Sequence, residues 1–327
     1  MPRFNYQPRQ PRPILATTGA LGKRSRLMAR SSDYAKVAHG LWAHGLPGLA
    51  PLKPEEIAAL CQTHFGPNFK VAGFSAAHMY GFPIGHTPVW VRDALDIEPA
   101  VRAQDLAAAM NTPHLVWTEK RGHHRHDGLL VTAGSPGPAL QGLWDSQIVS
   151  AVESLVAIEP YLSDWRAVAC LDHLLGIETQ PGRTRYRPWR LEQVHTALNA
   201  MRSSGAARLQ RLLPLACART WSPMETMVRL MAVSFGLPTP TMNLPVLLND
   251  NGRVRKAHLD AGWEEQKVGV EYNGAVHGSD RDTYGDEMHR LELFRDHGWD
   301  IRVLVAEDMR NPVRAQGWLE WLAHRLL

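Results

Sequence analysis

The chain has 327 residues, of which 44% are hydrophobic and 21% are charged, with a formal net charge of +4. This length suits two or three domains, and this composition is typical of a soluble globular protein. The sequence contains no run of about 18 apolar residues, so we expect no membrane span and no membrane partner. The first residues lack the apolar core of a signal peptide. The three cysteines lie far apart without metal-binding spacing, which predicts reduced thiols in a cytoplasmic protein.

Charge is distributed unevenly along the chain. The segment 222–327 contains 12 Lys/Arg and 16 Asp/Glu, whereas the residues before it contain 24 and 16. The first two-thirds are therefore net positive, and the C-terminal third is net negative. We expect contacts with nucleic-acid phosphates mainly from the basic part, and the acidic part suits a metal site better.

The N-terminal residues are predicted to form a disordered basic arm. Residues 1–32 contain seven basic residues, no acidic residue and no apolar period. An alternative is that translation starts later, at Met28, and that the arm is not part of the native chain.

A mixed α/β region is predicted over 33–145. A helix begins at Pro54, and a short helix capped by Ser75 ends at Gly81. A short strand follows at 89–92, and short apolar runs between turn residues predict small strands over 111–145. The histidines of Gly122–His126 are too closely spaced for a standard metal site, which favours a solvated turn.

Residues 146–221 are predicted to form a helical basic connector. Apolar periodicity indicates helices over 146–176 and about 190–202. Between Arg183 and Arg219 the chain has eight arginines and one acidic residue. Basic and aromatic residues alternate at the start of this stretch, which suits phosphate contact and base stacking, while a solvated charged face is the alternative. The candidate DNA-binding residues are Arg183, Arg185, Arg187 and Arg190.

Two acidic residues are predicted to face each other across a β-hairpin in the C-terminal third. If residues 264–267 form the turn, Trp263 pairs with Val268, and Asp260 then lies opposite Glu271. Like charges directly opposite each other destabilise a strand pair, so a cation between them is expected. In this register one face is apolar and carries Leu259, Ala261, Trp263, Val268, Val270 and Tyr272. The other face carries His258, Asp260, Gly262, Gly269, Glu271 and Asn273.

Helices and one more strand are predicted around this hairpin. Ser222 and Glu225 fit a capping box at the start of a helix that ends before Gly236. Glu225 has two roles open to it, as a helix cap and as an assistant to the metal site. Further elements are a helix over 284–297, a strand over 300–305 parallel to the second hairpin strand, and a final helix over 313–326. They predict a small mixed sheet with packed helices.

The residues around the hairpin follow an ordered pattern. Asp260 is followed by Glu271-Tyr-Asn-Gly-x-x-His277, then by Tyr284-x-Asp286-x-x-x-Arg290, and then by Leu293-x-x-x-x-Gly298-Trp299. Over about 222–310 this order resembles the Vsr-like branch of the PD-(D/E)XK nuclease superfamily. Within 68–92, the segment Ser75–Pro83 resembles abortive-infection (type IV) antitoxins. The combination resembles actinobacterial proteins that join two such regions.

The resemblance implies a restriction-endonuclease-like domain over 222–327 that hydrolyses DNA phosphodiester bonds, in phage defence or DNA repair. Asp260 and Glu271 would hold Mg²⁺ or Mn²⁺. His277 would position water or protonate the leaving group. Arg290 would neutralise phosphate charge, although its i, i+4 spacing also suits an ion pair with Asp286. The implied partners are DNA and a cognate toxin or other defence component.

Asn273 departs from the family pattern, which usually has Lys at this position and in this branch commonly Asp. Asparagine can orient water or bind a metal through its carbonyl oxygen, but it cannot act as a base. The catalytic candidates are therefore Asp260, Glu271, Asn273, His277 and Glu225. Two alternatives stay open: a catalytically weak or inactive DNA-binding, antitoxin-like regulator, and a purely structural role for the acids.

Overall fold

The computed structural model describes eleven stretches of the chain, namely residues 12–17, 31, 33–38, 40–44, 51–84, 103–118, 123–126, 128–134, 136–176, 189–274 and 281–327. Within them the chain forms eleven α-helices and three β-sheets, which confirms the predicted mixed α/β class. No helix in these stretches is both long and apolar enough to cross a bilayer.

The chain divides into two compact units. The first comprises residues 1–86, 100–162 and 184–211, and the second comprises 87–99, 163–183 and 212–327. This division differs from a single connector over 146–221. Helix 164–176 falls in the second unit, whereas the helices before and after it fall in the first.

A three-stranded antiparallel sheet begins the first unit. Its order is β1 (Ile14–Thr17), β3 (Leu41–His44) and β2 (Tyr34–Ala38). The prediction of a disordered arm over 1–32 is therefore wrong for residues 14–17. Their backbone pairs in register with 41–44, a partner that the local composition does not indicate.

The second sheet of the first unit has six strands, in the order β6, β7, β5, β4, β9, β8. Their bounds are β4 (Phe69–Val71), β5 (His114–Trp117), β6 (His123–His126), β7 (Leu129–Ala133), β8 (Leu140–Gln141) and β9 (Gln147–Ile148). The small strands predicted over 111–145 are confirmed. The predicted turn at 122–126 is wrong, because residues 123–126 pair with β7 as an edge strand.

The helices of the first unit are α1 (Pro54–Phe65), α2 (Gly73–Tyr80), α3 (Ala103–Met110), α4 (Ala151–Ile158), α6 (Leu191–Asn199) and α7 (Ser204–Leu212). The start at Pro54 and the end at Gly81, with φ of 72°, are as predicted. Ser75 does not cap α2. Ser75 is the third residue of the helix, and its hydroxyl oxygen accepts a hydrogen bond from the His114 N–H at 3.0 Å. The strand predicted at 89–92 lies outside the described residues.

The second unit is built on one four-stranded sheet, in the order β10, β11, β12, β13. Its elements are α5 (Asp164–Gly176), α8 (Pro223–Ser234), β10 (Thr241–Asp250), β11 (Arg253–Trp263), β12 (Val268–Tyr272), α9 (Arg281–Asp296), β13 (Asp300–Leu304), α10 (Ala306–Arg310) and α11 (Pro312–Leu326). The hairpin and the parallel β12/β13 pair are confirmed. β10 was not predicted. It contains Pro245, which lacks an N–H and is tolerated at a sheet edge.

Apolar clusters cover both faces of this sheet. The first cluster contains buried residues of α5, α8 and α11, among them Trp165, Met227 and Trp318, packed on Ala261, Trp263, Val268 and Val270. The second contains Leu291 and Phe294 of α9, packed on Leu244, Leu259 and Ile301. Helices α8 and α9 therefore pack on opposite faces of this sheet.

Candidate active site

Asp260 lies where the β10/β11 pair becomes irregular. Leu259, which precedes Asp260, pairs with Leu244. Opposite it, Asn243 has a positive φ of 46°, which asparagine adopts more readily than most residues. Ala261 packs in the first cluster, whereas Leu259, two residues away, packs in the second. Because alternate residues normally share a face, the alternation slips by one residue at Asp260.

The predicted hairpin register is confirmed from Trp263–Val268 to Ala261–Val270, and the next position in this register is Asp260–Glu271. The predicted apolar face is wrong for Leu259, because the slip turns that side chain to the opposite side. The carboxylate of Asp260 replaces a ladder bond: its Oδ2 accepts the backbone N–H of Tyr272 at 2.7 Å.

Glu271 is buried and forms a bidentate ion pair with Arg290 of α9. Arg290 Nη2 donates to Oε2 at 2.8 Å and Nη1 to Oε1 at 3.3 Å, while Nη1 also donates to the carbonyl of His258 at 2.9 Å. The predicted partner, Asp286, does not hold this guanidinium. Burial and then the charge of Asp260 raise the pKa of Glu271 to about 8, and Arg290 opposes this shift.

Glu225 of α8 serves as a cap and lies close to the acidic pair. Ser222 Oγ accepts the Glu225 N–H at 3.2 Å, but the Glu225 carboxylate accepts the Trp221 N–H at 2.9 Å, one residue earlier than in a capping box. Its Oε2 also accepts Asn243 Nδ2 at 2.6 Å. Burial and then the charge of Asp260 raise the pKa of Glu225 to about 7. The two roles predicted for Glu225 are therefore compatible.

A cavity of about 370 Å³ opens beside these residues, lined by Asp260, Glu271, Tyr272, Asn273, Asp286, Glu287 and Arg290. Asn273 follows β12, and its Nδ2 donates to Glu287 Oε1 of α9 at 3.1 Å. The pKa of Asp260 is raised, first by burial and also by the charge of Glu287, while the Tyr272 N–H and Arg290 act to lower it. The cavity is therefore a concentration of acidic groups with one guanidinium.

The chemistry of this lining fits a hard divalent cation. Four carboxylates and one guanidinium give the lining a net charge of −3 when all are ionised. Carboxylate oxygens are ligands that Mg²⁺ and Mn²⁺ prefer. Within the described residues, no three His, Cys, Asp or Glu side chains already converge as a ligand set. Glu271 faces Arg290, so a bound ion would have to share or replace that contact.

Four predicted site residues fall outside the described residues, and a fifth belongs to the first unit. His277 and the arginines 183, 185 and 187 are outside the described residues, so their predicted roles stay predictions. Arg190 is exposed and precedes α6 in the first unit, where its backbone N–H donates to Gln193 Oε1 at 2.9 Å. The cavity therefore brings together Asp260, Glu271, Asn273 and Arg290 from the predicted set, and Glu225 interacts with Asp260 without lining the cavity.

Two residues at the site were not predicted from the sequence. Asn243 lies on the unpredicted strand β10, and it bonds to Glu225 and to the Arg219 carbonyl, at 2.7 Å. Glu287 follows Asp286 and precedes Arg290 by three residues, which places it near that side chain on one helix. This spacing was a usable signal for Glu287, whereas nothing local indicated Asn243.

A further histidine lies beside the acidic pair. The ring of His258 contacts that of Trp221, with centroids 5.1 Å apart. Burial and then the charges of Lys256, Arg219 and Arg290 lower the pKa of His258. The middle of β11 thus combines a cationic surface with the acidic cavity.

Comparison with known proteins identifies two uncharacterized relatives. No protein-family model matches the chain, and no solved structure matches it. Two uncharacterized proteins of Mycobacterium tuberculosis, Rv2248 of strain H37Rv and MT2308 of strain CDC 1551, are similar to it. Each is 26% identical over 141 residues, which covers 38% of this chain and 51% of the relative. The chain spans about half the length of the curated relatives it matches.

Proposed function

We propose that this protein is a metal-dependent endonuclease that hydrolyses DNA phosphodiester bonds in the cavity beside Asp260 and Glu271. One observation carries the proposal: these two acids occupy the cross-strand position that follows the Ala261–Val270 pair, and each has a raised pKa. Two neighbouring carboxylates, of which Glu271 is buried and Asp260 partly buried, are costly to ionise together, and a bound cation removes that cost. The resemblance to the Vsr-like nucleases supports the same conclusion.

Asp260 and Glu271 would hold Mg²⁺ or Mn²⁺, which when bound polarises a phosphate and makes water more acidic. Tyr272 fixes the orientation of Asp260 through its backbone N–H. Arg290 holds Glu271, lines the cavity and would donate to a phosphate oxygen there.

Glu225 is suited to proton exchange near neutral pH, because its pKa is about 7. Trp221 and Asn243 both donate to Oε2, so the proton of the neutral acid belongs on Oε1. Glu225 does not line the cavity, so it would act on the site through its electrostatic interaction with Asp260. Asn273 would orient water through its side-chain amide, without acting as a base.

The biological setting follows from the resemblance. DNA is the proposed substrate, phage defence or DNA repair is the proposed role, and a cognate toxin or other defence component is the proposed partner. A cytoplasmic location suits this setting.

The proposal is tested by incubating supercoiled plasmid with the purified protein and Mg²⁺. We expect the wild type to convert plasmid to nicked or linear forms, and we expect chelator to stop it. Asp260→Ala and Glu271→Ala should abolish the conversion, whereas Glu320→Ala, on the exposed face of α11, should not. Equal cleavage by all four proteins, or none by the wild type, would refute the proposal.

A second candidate is a DNA-binding, antitoxin-like regulator with weak or no catalysis. Two contacts favour it: Asn273, at a position where this branch commonly has Asp, is bonded to Glu287, and Glu271 is neutralised by Arg290. Salt-sensitive DNA retention that is unaffected by chelator, without any cleavage, would support this candidate over the nuclease.

A further inference from the structure

The β10/β11 hairpin has an open face that its role in the sheet does not explain. Leu244, Leu248 and Leu259 turn towards α9 on one face. The opposite face carries the alternate residues Pro245, Leu247, Asn249, Val254, Lys256 and His258. Leu247 and Val254 are 68% and 72% exposed, which shows that this face is open along the outer half of the hairpin.

Positive charge converges on the inner end of this open face. Lys256 and Arg219 are exposed. Burial and then their charges, together with that of Arg290, lower the pKa of His258. The His258 carbonyl accepts Arg290 Nη1, which also reaches Glu271. This cationic end therefore directly adjoins the acidic cavity, two residues along β11 from Asp260.

Arg219 is held in place by the residues that surround the irregular strand position. Its Nη2 donates to the Asn243 carbonyl at 3.1 Å, and Asn243 Nδ2 donates to Glu225 Oε2. Arg219 is thus tied through Asn243 to one of the acidic residues of the site. Its position relative to the site is set by the fold.

We propose that this open hairpin face seats the DNA strand that enters the cavity, with Arg219 and Lys256 contacting backbone phosphates beside the Trp221 and His258 rings. This inference rests on the proposed endonuclease function and names the surface that delivers its substrate. Charge complementarity carries it. The segment 222–327 is net negative and the cavity lining has four carboxyl groups against one guanidinium, so a phosphate backbone is repelled unless cations lie beside the cavity. Arg219 and Lys256 supply that charge at its entrance.

The test measures DNA binding without cleavage. The full-length protein is titrated onto a fluorescein-labelled DNA duplex in EDTA, and Kd is measured by anisotropy over a range of NaCl concentrations. Lys256→Gln should lower the slope of log K against log salt by about 0.9, and Arg219→Gln/Lys256→Gln by about 1.8, as for one and two phosphate contacts. The control Arg295→Gln/Arg310→Gln, which removes two exposed cations elsewhere in the same unit, should leave the slope unchanged.

A conservative variant separates charge from folding, since Arg219→Gln also removes a bond to Asn243. Arg219→Lys keeps the charge and should bind DNA as the wild type does, with Lys256→Gln still reducing the slope. An unchanged slope in Lys256→Gln and in the double variant would overturn the proposal. So would an equal loss in the control, or a wild type that binds no DNA in EDTA.

The two proposals fail in different ways. If the wild type binds with the predicted salt dependence but does not nick plasmid in Mg²⁺, the nuclease proposal fails and the DNA-binding face stands. If the wild type nicks plasmid and the double variant binds and nicks equally well, the face is wrong and the nuclease proposal stands.

Discussion

The carboxylate of Asp260 accepts the backbone N–H of Tyr272 at 2.7 Å, at the end of the β11/β12 ladder. A side chain therefore makes a bond that a strand carbonyl would otherwise make. This contact fixes the carboxylate of Asp260, and the charge of Asp260 raises the pKa of both Glu225 and Glu271. The electrostatics of the site depend on this arrangement.

Removing the charge of Asp260 while keeping its shape should stabilise the metal-free protein. Asp260→Asn keeps an oxygen for the Tyr272 N–H and removes the repulsion of Glu225 and Glu271. We expect a gain on the order of 1 kcal/mol in the free energy of unfolding in EDTA, measured by urea denaturation. A matched Asp300→Asn change, at an exposed position of β13, should give no gain. A destabilised Asp260→Asn protein would show that the carboxylate is not under repulsive strain.

The Arg290–Glu271 pair should show measurable coupling. Arg290→Gln leaves a buried carboxylate without its cation, and we expect a loss of about 1–3 kcal/mol, at the lower end because Arg290 is partly exposed. In a double-mutant cycle with Glu271→Gln, the coupling energy should be about 1–2 kcal/mol in EDTA. Additive effects of the two substitutions would contradict the ion pair.

The helix that carries Glu225 should depend on a buried charge on α5. Asp172 accepts the Cys217 N–H at 2.6 Å, and Thr226 Oγ1 and Arg229 Nη2 at 2.8 Å each. Asp172→Asn leaves the buried Arg229 without its counter-charge and should cost about 3 kcal/mol in urea denaturation. Asp164→Asn, in the first turn of the same helix and partly exposed, should cost far less. Equal costs for the two variants would refute this anchoring role.

Asn273 can be tested by restoring the residue that is common in this branch. Asn273→Asp replaces the bond to Glu287 with a like-charge contact, so the metal-free protein should lose on the order of 1 kcal/mol. Mg²⁺ should recover this loss and raise the melting temperature of the variant more than that of the wild type. Differential scanning calorimetry with and without Mg²⁺ measures both effects. An equal response to Mg²⁺ would place Asn273 outside the metal site.

Two cysteines should resist alkylation in the folded protein. Burial raises the pKa of the Cys61 and Cys170 thiols to about 12, so very little thiolate forms at pH 8. Because these pKa values exceed the unfolded value, the stability that the thiols contribute is complete below about pH 9 and is lost as pH rises towards 12. Mass spectrometry after iodoacetamide treatment should find both unmodified in the native protein and modified in guanidinium. Rapid labelling of either native thiol would contradict the burial.

Local patterns predicted much of the second unit. Alternating apolar residues and a four-residue turn fixed the register from Trp263–Val268 onward, and the strand–helix–strand order indicated the parallel β12/β13 pair. Ser222 and Gly236 marked the limits of α8. These features depend on neighbours close in sequence, so the sequence alone carries them.

Features set by distant contacts were not predictable. Pro245 made the edge strand β10 hard to predict from the sequence. Without β10, nothing indicated the positive φ of Asn243 or that the Leu259 side chain lies on the opposite face of the sheet. Arg290 forms its ion pair with Glu271, nineteen residues away, and not with Asp286 on its own helix. The packing of α9 brings the guanidinium to β12 and so determines its partner. The i, i+4 spacing within the helix contains no information about that packing.

The most direct test of the central claim is the rate of plasmid nicking as a function of Mg²⁺ concentration. The wild type should show a saturable dependence on Mg²⁺. Asp260→Asn and Glu271→Gln, which preserve shape but remove one ligand charge each, should lose activity by about 100-fold or more. Metal-independent nicking, or variants that match the wild type at every Mg²⁺ concentration, would contradict the assignment of these two acids as the metal site of a nuclease.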